Sequence, residues 1–310
     1  GNEEPSRQQF QSLEKLFINR EFNQVIEAAK IMEGQFPGSI NLKNICGAAY
    51  AELRDFDSAL DHYKEALKLK PAHVELNYNM GTVLQHKGEE KSAAHSYKKA
   101  LVINPGHALA YNNVGNILRT QNKPQEAIFS YERAIKFKSD YPETFNNLGV
   151  TLSELSRYDE AIISFNKAIE LKPDYAEAYN NLGNMFHDDT HYNLGINLDE
   201  TNNVERSFSN YKKAIILRPS YAEAYNNIGH FFTELNLYKN AMNNFERGIK
   251  LEPNSSELLN SKGRLLIKLG RPNEGLPLRQ SQGVFVFDIK KGVKLEGLDR
   301  DAAIKSGRRK

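Results

Sequence analysis

Asparagine recurs along this chain at one position relative to a series of glycines. Five asparagines each stand two residues before a glycine: Asn79, Asn113, Asn147, Asn181 and Asn227. A carboxamide carries an acceptor and two N–H donors, so it can pair with the C=O and the N–H of a peptide unit at once. Such pairing ignores the side chain of the peptide. These residues therefore predict recognition of a polypeptide backbone.

Histidine and cysteine form no pattern that predicts catalysis or metal binding. Cys46 precedes Gly47 at a position where later units carry apolar residues, which indicates a small core residue. No glycine belongs to a GxGxxG or GxxxxGK[ST] string. The histidines considered lie where the helical pattern predicts solvated helix or loop: His73, His86, His95, His107, His187, His191 and His230. We expect no catalytic residue, no metal site and no cofactor, and a chain that is not itself an enzyme.

Composition limits the protein class further. The chain has 310 residues, 40% hydrophobic and 26% charged, with a net charge of +2, which suffices for a core and excludes wholesale disorder. The small net charge argues against a nucleic-acid partner. One cysteine permits no intrachain disulfide, and the sequence shows neither a membrane-spanning run nor a signal peptide. We expect a cytoplasmic protein without membrane insertion; the initial glycine suggests a tagged or processed fragment.

Glycines mark an internal repeat. Their successive spacings are 34, 34, 34, 34, 46 and 34 residues, so one unit carries 12 extra residues. Alanine, an aromatic residue and alanine follow each of the first glycines by 12, 16 and 19 residues, and most units close on proline. The glycines of the series are Gly47, Gly81, Gly115, Gly149, Gly183, Gly229 and Gly263.

These spacings predict two amphipathic helices in each unit. In the first half an aromatic four residues before the glycine and an apolar residue three after it share one helical face. The alanine and aromatic positions of the second half share another, and small residues there allow close helix contact. Residues tolerant of positive φ separate the halves, and proline ends the second helix. The predicted separators are Gly88, Asn122, Asn202, Asn236 and Gly270.

The order Gly, Ala, aromatic, Ala, Pro on this period resembles the tetratricopeptide repeat. The resemblance implies an all-α fold, a right-handed superhelical solenoid of antiparallel helix pairs with a short non-helical or strand-like C-terminal tail. Tyrosine or phenylalanine replaces the usual tryptophan, and Ser139 replaces one closing proline. The predicted units are a degenerate capping repeat at 6–39; repeats at 40–73, 74–107, 108–141 and 142–175; a repeat with the insertion at 176–221; a repeat at 222–255; a degenerate repeat at 256–283; and a tail at 284–310, a candidate start of a truncated domain.

The asparagines also resemble the asparagine ladder of O-linked N-acetylglucosamine transferases, where first helices line a concave groove and successive amides hold an extended peptide. The resemblance implies peptide binding by the five asparagines, and Asn116 and Asn184 lie one turn further along the same face. Asparagine costs about 0.5 to 0.7 kcal/mol against alanine within a helix, which calls for a compensating role. The alternative is that these amides bond within the solenoid.

Two function classes follow from these patterns. The first is a non-catalytic scaffold that binds a protein or peptide segment in its concave groove; a homo-oligomer stays open. The second is the substrate-presenting arm of a larger enzyme, such as a glycosyltransferase or an oxygenase. A clamp for a C-terminal carboxylate would require lysine and arginine where this chain has asparagines such as Asn112 and Asn146. We further expect the insertion within 187–203 to loop out, with His187 to Asn197 as an extended first helix or lip, and Val204 to Leu217 as second helix.

Overall fold

The computed structural model describes residues 4–192 and 200–280 of the chain. Within those ranges the chain forms only helices, and no strand occurs there. The helices are α1 Arg7–Ile18, α2 Phe22–Glu33, α3 Ile40–Glu52, α4 Phe56–Leu69, α5 Val74–His86, α6 Glu90–Ile103, α7 Ala108–Thr120, α8 Pro124–Phe137, α9 Pro142–Glu154, α10 Tyr158–Leu171, α11 Ala176–Tyr192, α12 Glu200–Leu217, α13 Ala222–Glu234, α14 Tyr238–Leu251, α15 Ser256–Lys268 and α16 Pro272–Gln280. The prediction of an all-α repeat fold is confirmed.

The helices pack in sequence order inside two compact units, Gly1–Met185 and Phe186–Lys310. In the first unit each helix from α1 to α10 contacts the one that follows it, and within pairs such as α5–α6 and α7–α8 the contact is most extensive. The second unit repeats this order from α12 to α16. Each unit is therefore built of neighbouring helical hairpins, in which local contacts dominate.

Each glycine of the series for which the contact is described lies against the aromatic residue 16 positions later. A Cβ atom on Gly47, Gly81, Gly115, Gly149 or Gly229 would come within 2.3–2.7 Å of a ring carbon of the paired aromatic. The rings themselves are buried: Tyr63, Tyr97, Tyr131, Phe165 and Phe245. The interpretation of the glycines as close-packing residues is thus confirmed, since a side chain at these positions would displace a buried ring.

The turn inside each hairpin uses a left-handed residue. Four of the predicted separators have positive φ, between 57° and 79°: Gly88, Asn122, Asn236 and Gly270. The same conformation occurs at Arg20, Arg54 and Ser156, which residue type alone did not indicate. The prediction for Asn202 is wrong, because that residue lies inside α12. The hairpin geometry imposes this conformation even on residues that do not favour it.

Proline is not what ends the second helices. α4 and α6 end two residues before Pro71 and Pro105, but α8 ends at the equivalent place before Ser139. In all three helices the N–H of the first residue after the helix still bonds to the carbonyl four residues earlier, at 2.8–3.0 Å. Proline reinforces a helix end that the packing of the next repeat already sets.

The insertion lengthens both helices of its repeat. α11 continues to Tyr192, so the predicted extension of the first helix is confirmed up to that residue. α12 begins at Glu200, four residues earlier than the predicted start at Val204. Residues 193–199, and the strand predicted within the 284–310 tail, lie outside the described residues.

Replacing Gly115 with alanine tests the glycine contact. The new Cβ would lie 2.5 Å from Cε1 of Tyr131, which is fully buried. Alanine gains about 1 kcal/mol of helix propensity, but overpacking of a core costs about 1 to 3 kcal/mol. We expect Gly115→Ala to lower the urea midpoint of unfolding. The control is Gly38→Ala, because nothing lies within 4 Å of the Cβ position at Gly38; an equal or higher midpoint for Gly115→Ala would contradict the packing account.

Candidate functional site

The asparagine row lies on the first helices of successive hairpins. In the first unit Asn79 is on α5, Asn113 on α7, Asn147 on α9 and Asn181 on α11, and each is half-buried. First helices of adjacent hairpins also touch one another, as α3 touches α5 and α7 touches α9. This contact brings the amides within reach of the preceding first helix.

The amides form hydrogen bonds from hairpin to hairpin. Asn79 Nδ2 donates to Asn44 Oδ1 at 3.1 Å, spanning 35 residues of sequence. Asn147 Nδ2 donates in the same way to Asn112 Oδ1 at 3.1 Å, and Asn181 Nδ2 to Asn146 Oδ1 at 3.0 Å. We call these three bonds the rungs. They give the asparagines a structural role inside the solenoid, which the sequence argument had left as its alternative.

Asn113 makes a different set of contacts because its partner position holds Tyr78. Its Nδ2 lies 3.4 Å from Tyr78 Oη and donates to Tyr97 Oη at 3.1 Å. Its Oδ1 accepts from Asn112 Nδ2 at 3.3 Å. Burial raises the pKa of Tyr97 to about 12, so this phenol keeps its proton and donates to Gln85 Oε1 at 2.8 Å. Both ends of the Asn113 amide are therefore used within the protein.

The acceptors of the rungs are better buried than the donors. Asn112 and Asn146 are 5% and 7% exposed. Asn112 Oδ1 also accepts from the hydroxyl of Thr144 at 3.1 Å. A buried amide that satisfies two donors of the next hairpin fixes how adjacent hairpins align.

The rungs leave a carbonyl oxygen on each donor asparagine. Within the part of the chain that the structure describes, Oδ1 of Asn79, Asn147 and Asn181 accepts no hydrogen bond. Each amide also keeps a second N–H. The first unit therefore carries a row of half-exposed acceptors that the rungs hold in place.

The other predicted asparagines have partners of their own. Asn116 Oδ1 accepts from the hydroxyl of Tyr131 at 2.8 Å. Asn184 and Asn227 both interact with neighbouring groups of the chain. Asn227 belongs to the second unit, where the preceding Asn226 donates to Glu257 Oε1 at 2.8 Å. The structure thus brings together Asn79, Asn113, Asn147 and Asn181, and places Asn227 in a separate unit.

A pocket of about 390 Å³ opens beside Asn79, between α3, α4 and α5. We call it the α3–α5 pocket. Sequence reasoning missed it, although the signal is present: Ala48 and Ala51 stand where the next repeat carries Thr82 and Gln85. Its lining residues are Ala48, Ala51, Glu52, Arg54, Phe56, Tyr63, Asn79, Thr82, Val83 and His86.

Family models place this architecture. A model described as TPR repeat matches residues 47–88, 115–156 and 152–190, and two models described as tetratricopeptide repeat match 74–107, 222–255 and 96–129. Together they span 47–190 and 222–255, more than half of the chain. The chain belongs to the tetratricopeptide repeat (TPR) family.

Individual relatives of this TPR chain match only in part. Photosystem I assembly protein Ycf3 of Acaryochloris marina is 39% identical over 64 residues, covering 21% of this chain and 38% of that protein. A chain of the APC/C hetero-tetramer Cut9–Hcn1 is similar in structure, with a TM-score of 0.67, 16% identity, and coverage of 82% of this chain and 48% of that one. The chain thus spans less than half of either relative.

A third relative is the C-terminal part of a TPR repeat-containing protein from Cytophaga hutchinsonii. It has a TM-score of 0.56 and 20% identity, and the match covers 81% of this chain and 98% of that one. At these identities the two structural matches show the fold alone. Among the helices of the described TPR residues, none has the length and apolar character needed to cross a membrane.

One cluster of metal-capable side chains lies apart from the asparagine row. Donor atoms of Glu33, Cys46 and His62 are all within 4.8 Å of one another, although the sequence gave no spacing to suggest it. Cys46 is fully buried, and burial raises the pKa of its thiol to about 12. Lys43 Nζ lies 3.9 Å from Glu33 Oε1 and so places a cation beside the carboxylate. The core position predicted for Cys46 is confirmed.

The rungs predict unequal costs for their two ends. Asn112→Ala leaves the donors of Asn147 and Thr144 without their acceptor, and we expect it to cost about 1 to 3 kcal/mol. Asn147→Ala removes one half-exposed bond worth about 0.5 to 1.5 kcal/mol and recovers part of it through helix propensity. Urea unfolding of both single variants and the double variant measures this; additive costs, without coupling between Asn112 and Asn147, would contradict the rung.

Proposed function

We propose that the chain is a non-catalytic protein-interaction scaffold that binds an extended segment of another protein along its asparagine row. The contacts are hydrogen bonds from the peptide backbone to the amides of Asn79, Asn147 and Asn181, with Asn113, Asn116, Asn184 and Asn227 at the same face of their helices. Main-chain pairing of this kind gives affinity with little dependence on sequence.

The observation that carries this proposal is the row of carbonyl oxygens left by the rungs. Each donor amide uses one N–H to hold the preceding hairpin, at 3.0 to 3.1 Å. Fixing the amide in this way lowers the entropy lost when a ligand binds it. The peptide N–H is the group that such an acceptor would pair with.

The family context agrees with this proposal. The TPR match covers more than half of the chain, and the relative from Acaryochloris marina is named an assembly protein. Assembly of a complex requires contacts with other proteins, and an exposed row of peptide-like acceptors suits that role. The alternative, in which this array presents substrates to an attached enzyme, uses the same contacts and differs by catalysis in a longer chain.

A pair of double variants tests backbone recognition. Unstructured 12-residue peptides are selected on the purified chain, and two binders of unrelated sequence are measured by fluorescence anisotropy. Asn147→Ala with Asn181→Ala removes two acceptors, each worth about 0.5 to 1.5 kcal/mol. We expect both peptides to lose affinity by a similar factor, roughly 5- to 150-fold.

The matched control is Asn112→Ala with Asn146→Ala. These buried substitutions break the same two rungs but leave the carbonyls of Asn147 and Asn181 on the surface. At a temperature where the control is folded, its affinity should stay within a few-fold of the parent. Equal losses in both double variants would make the asparagines purely structural, and no loss in either would place the peptide elsewhere.

A further inference from the structure

The α3–α5 pocket owes its existence to two alanines. In the next two repeats the buried tyrosine hydroxyl has a side-chain partner from the first helix, Tyr97 with Gln85 and Tyr131 with Asn116, both at 2.8 Å. Ala51 and Ala48 stand at the positions of Gln85 and Asn116. They leave a space of about 390 Å³ in front of the third tyrosine, Tyr63.

Tyr63 lines this space with an unpaired hydroxyl. Its side chain is 2% exposed, and Oη makes no hydrogen bond to any group in the described part of the chain. A buried hydroxyl without a partner is costly, and native proteins retain one mainly where a ligand or water supplies the bond. The unpaired hydroxyl marks the pocket as a binding site.

The polar atoms of the wall that remain available are mainly acceptors. The Nδ2 of Asn79 is held by Asn44, which leaves its Oδ1. Thr82 donates its hydroxyl proton to the carbonyl of Tyr78 at 3.2 Å, so its Oγ1 can only accept. Glu52 lines the pocket with a carboxylate that forms no ion pair within the described residues.

The cationic side chains of the lining are placed differently. Arg54 is exposed and follows the end of α3, so its guanidinium lies toward solvent. The ring of His86 stacks on Phe56, with centroids 6.1 Å apart. Apolar surface comes from Ala48, Ala51 and Val83. The pocket thus combines apolar walls with a group of acceptors and one unpaired negative charge.

We infer that the α3–α5 pocket binds a lysine side chain of the segment held along the asparagine row. The apolar walls cover the methylene stem, and the ammonium donates to Tyr63 Oη, Asn79 Oδ1 and the Glu52 carboxylate, which matches its three N–H donors. An acidic side chain would instead face these acceptors and the carboxylate of Glu52. The inference rests on the proposed function, because Asn79 belongs to both sites.

A small probe tests the pocket without any peptide. The chain is labelled with 13Cζ-tyrosine, the Tyr63 signal is assigned with Tyr63→Phe, and n-butylammonium chloride is titrated at constant ionic strength. We expect a saturable shift of the Tyr63 signal at millimolar concentration, and none with sodium butyrate. Saturation by butyrate, or by neither compound, overturns the inference.

Two variants localise the binding. Ala51→Gln places in the pocket the residue that the next repeat carries there, so it should fold, supply Tyr63 with a partner, raise the melting temperature and abolish the butylammonium shift. Glu52→Gln should weaken binding at least five-fold. Asp61→Asn, on the exposed face of α4, is the matched control and should leave binding unchanged. A butylammonium shift that survives Ala51→Gln contradicts the inference.

Peptides separate this inference from the proposed function. In selected peptides, replacing the anchoring lysine with norleucine should weaken binding to the parent chain but not to Ala51→Gln. If the Asn147→Ala, Asn181→Ala variant loses peptide affinity while norleucine has no effect, the pocket inference fails and the scaffold proposal stands. If butylammonium binds but that double variant keeps its peptide affinity, the pocket stands and the asparagine row fails.

Discussion

The contact between a glycine of the first helix and an aromatic ring of the second sets the geometry of every other feature described for this fold. At Gly115 the backbone packs directly against the face occupied by Tyr131, with no room for a methyl group. The ring is held between Ala127 and Ala134, which are fully buried. Because the helices of a hairpin approach this closely, residues two and three positions before the glycine reach the neighbouring hairpin.

The rungs depend on that approach and add polar specificity to it. Hydrophobic packing between hairpins is tolerant of small shifts, whereas a hydrogen bond between Asn147 and the buried Asn112 is not. In a repeat protein, stability is a sum of terms within repeats and terms between neighbours. The rungs act on the second kind of term, so they couple adjacent hairpins and fix their alignment at three interfaces of the first unit.

Much of the fold could be predicted from the sequence because its determinants are local. The glycine period and the flanking aromatic positions located the helix pairs, and the turn position was correct at residues such as Asn122. The left-handed conformations of Arg54 and Ser156 were not predictable from residue type, since the hairpin imposes them. The insertion could not be divided correctly, because its turn-forming composition concealed the early start of α12, which includes Asn202.

The candidate site was only partly predictable, for a different reason. Sequence identified the asparagines as surplus to helix packing, but their bonds join residues 35 positions apart, and a pattern within one repeat cannot show them. The same limit hid the pocket, since the effect of Ala51 appears only beside Tyr63 of the facing helix.

Equivalent positions in different repeats therefore explain more than any single repeat. Gln85 pairs with Tyr97 and makes that position structural, whereas Ala51 leaves the hydroxyl of Tyr63 unpaired at the same place. Likewise both ends of the Asn113 amide are used internally, whereas Asn147 keeps its carbonyl. Where the backbone geometry is repeated, a difference in polar pairing is a difference in what the surface can bind. The polar atoms that the repeat does not satisfy internally are the ones left for a partner.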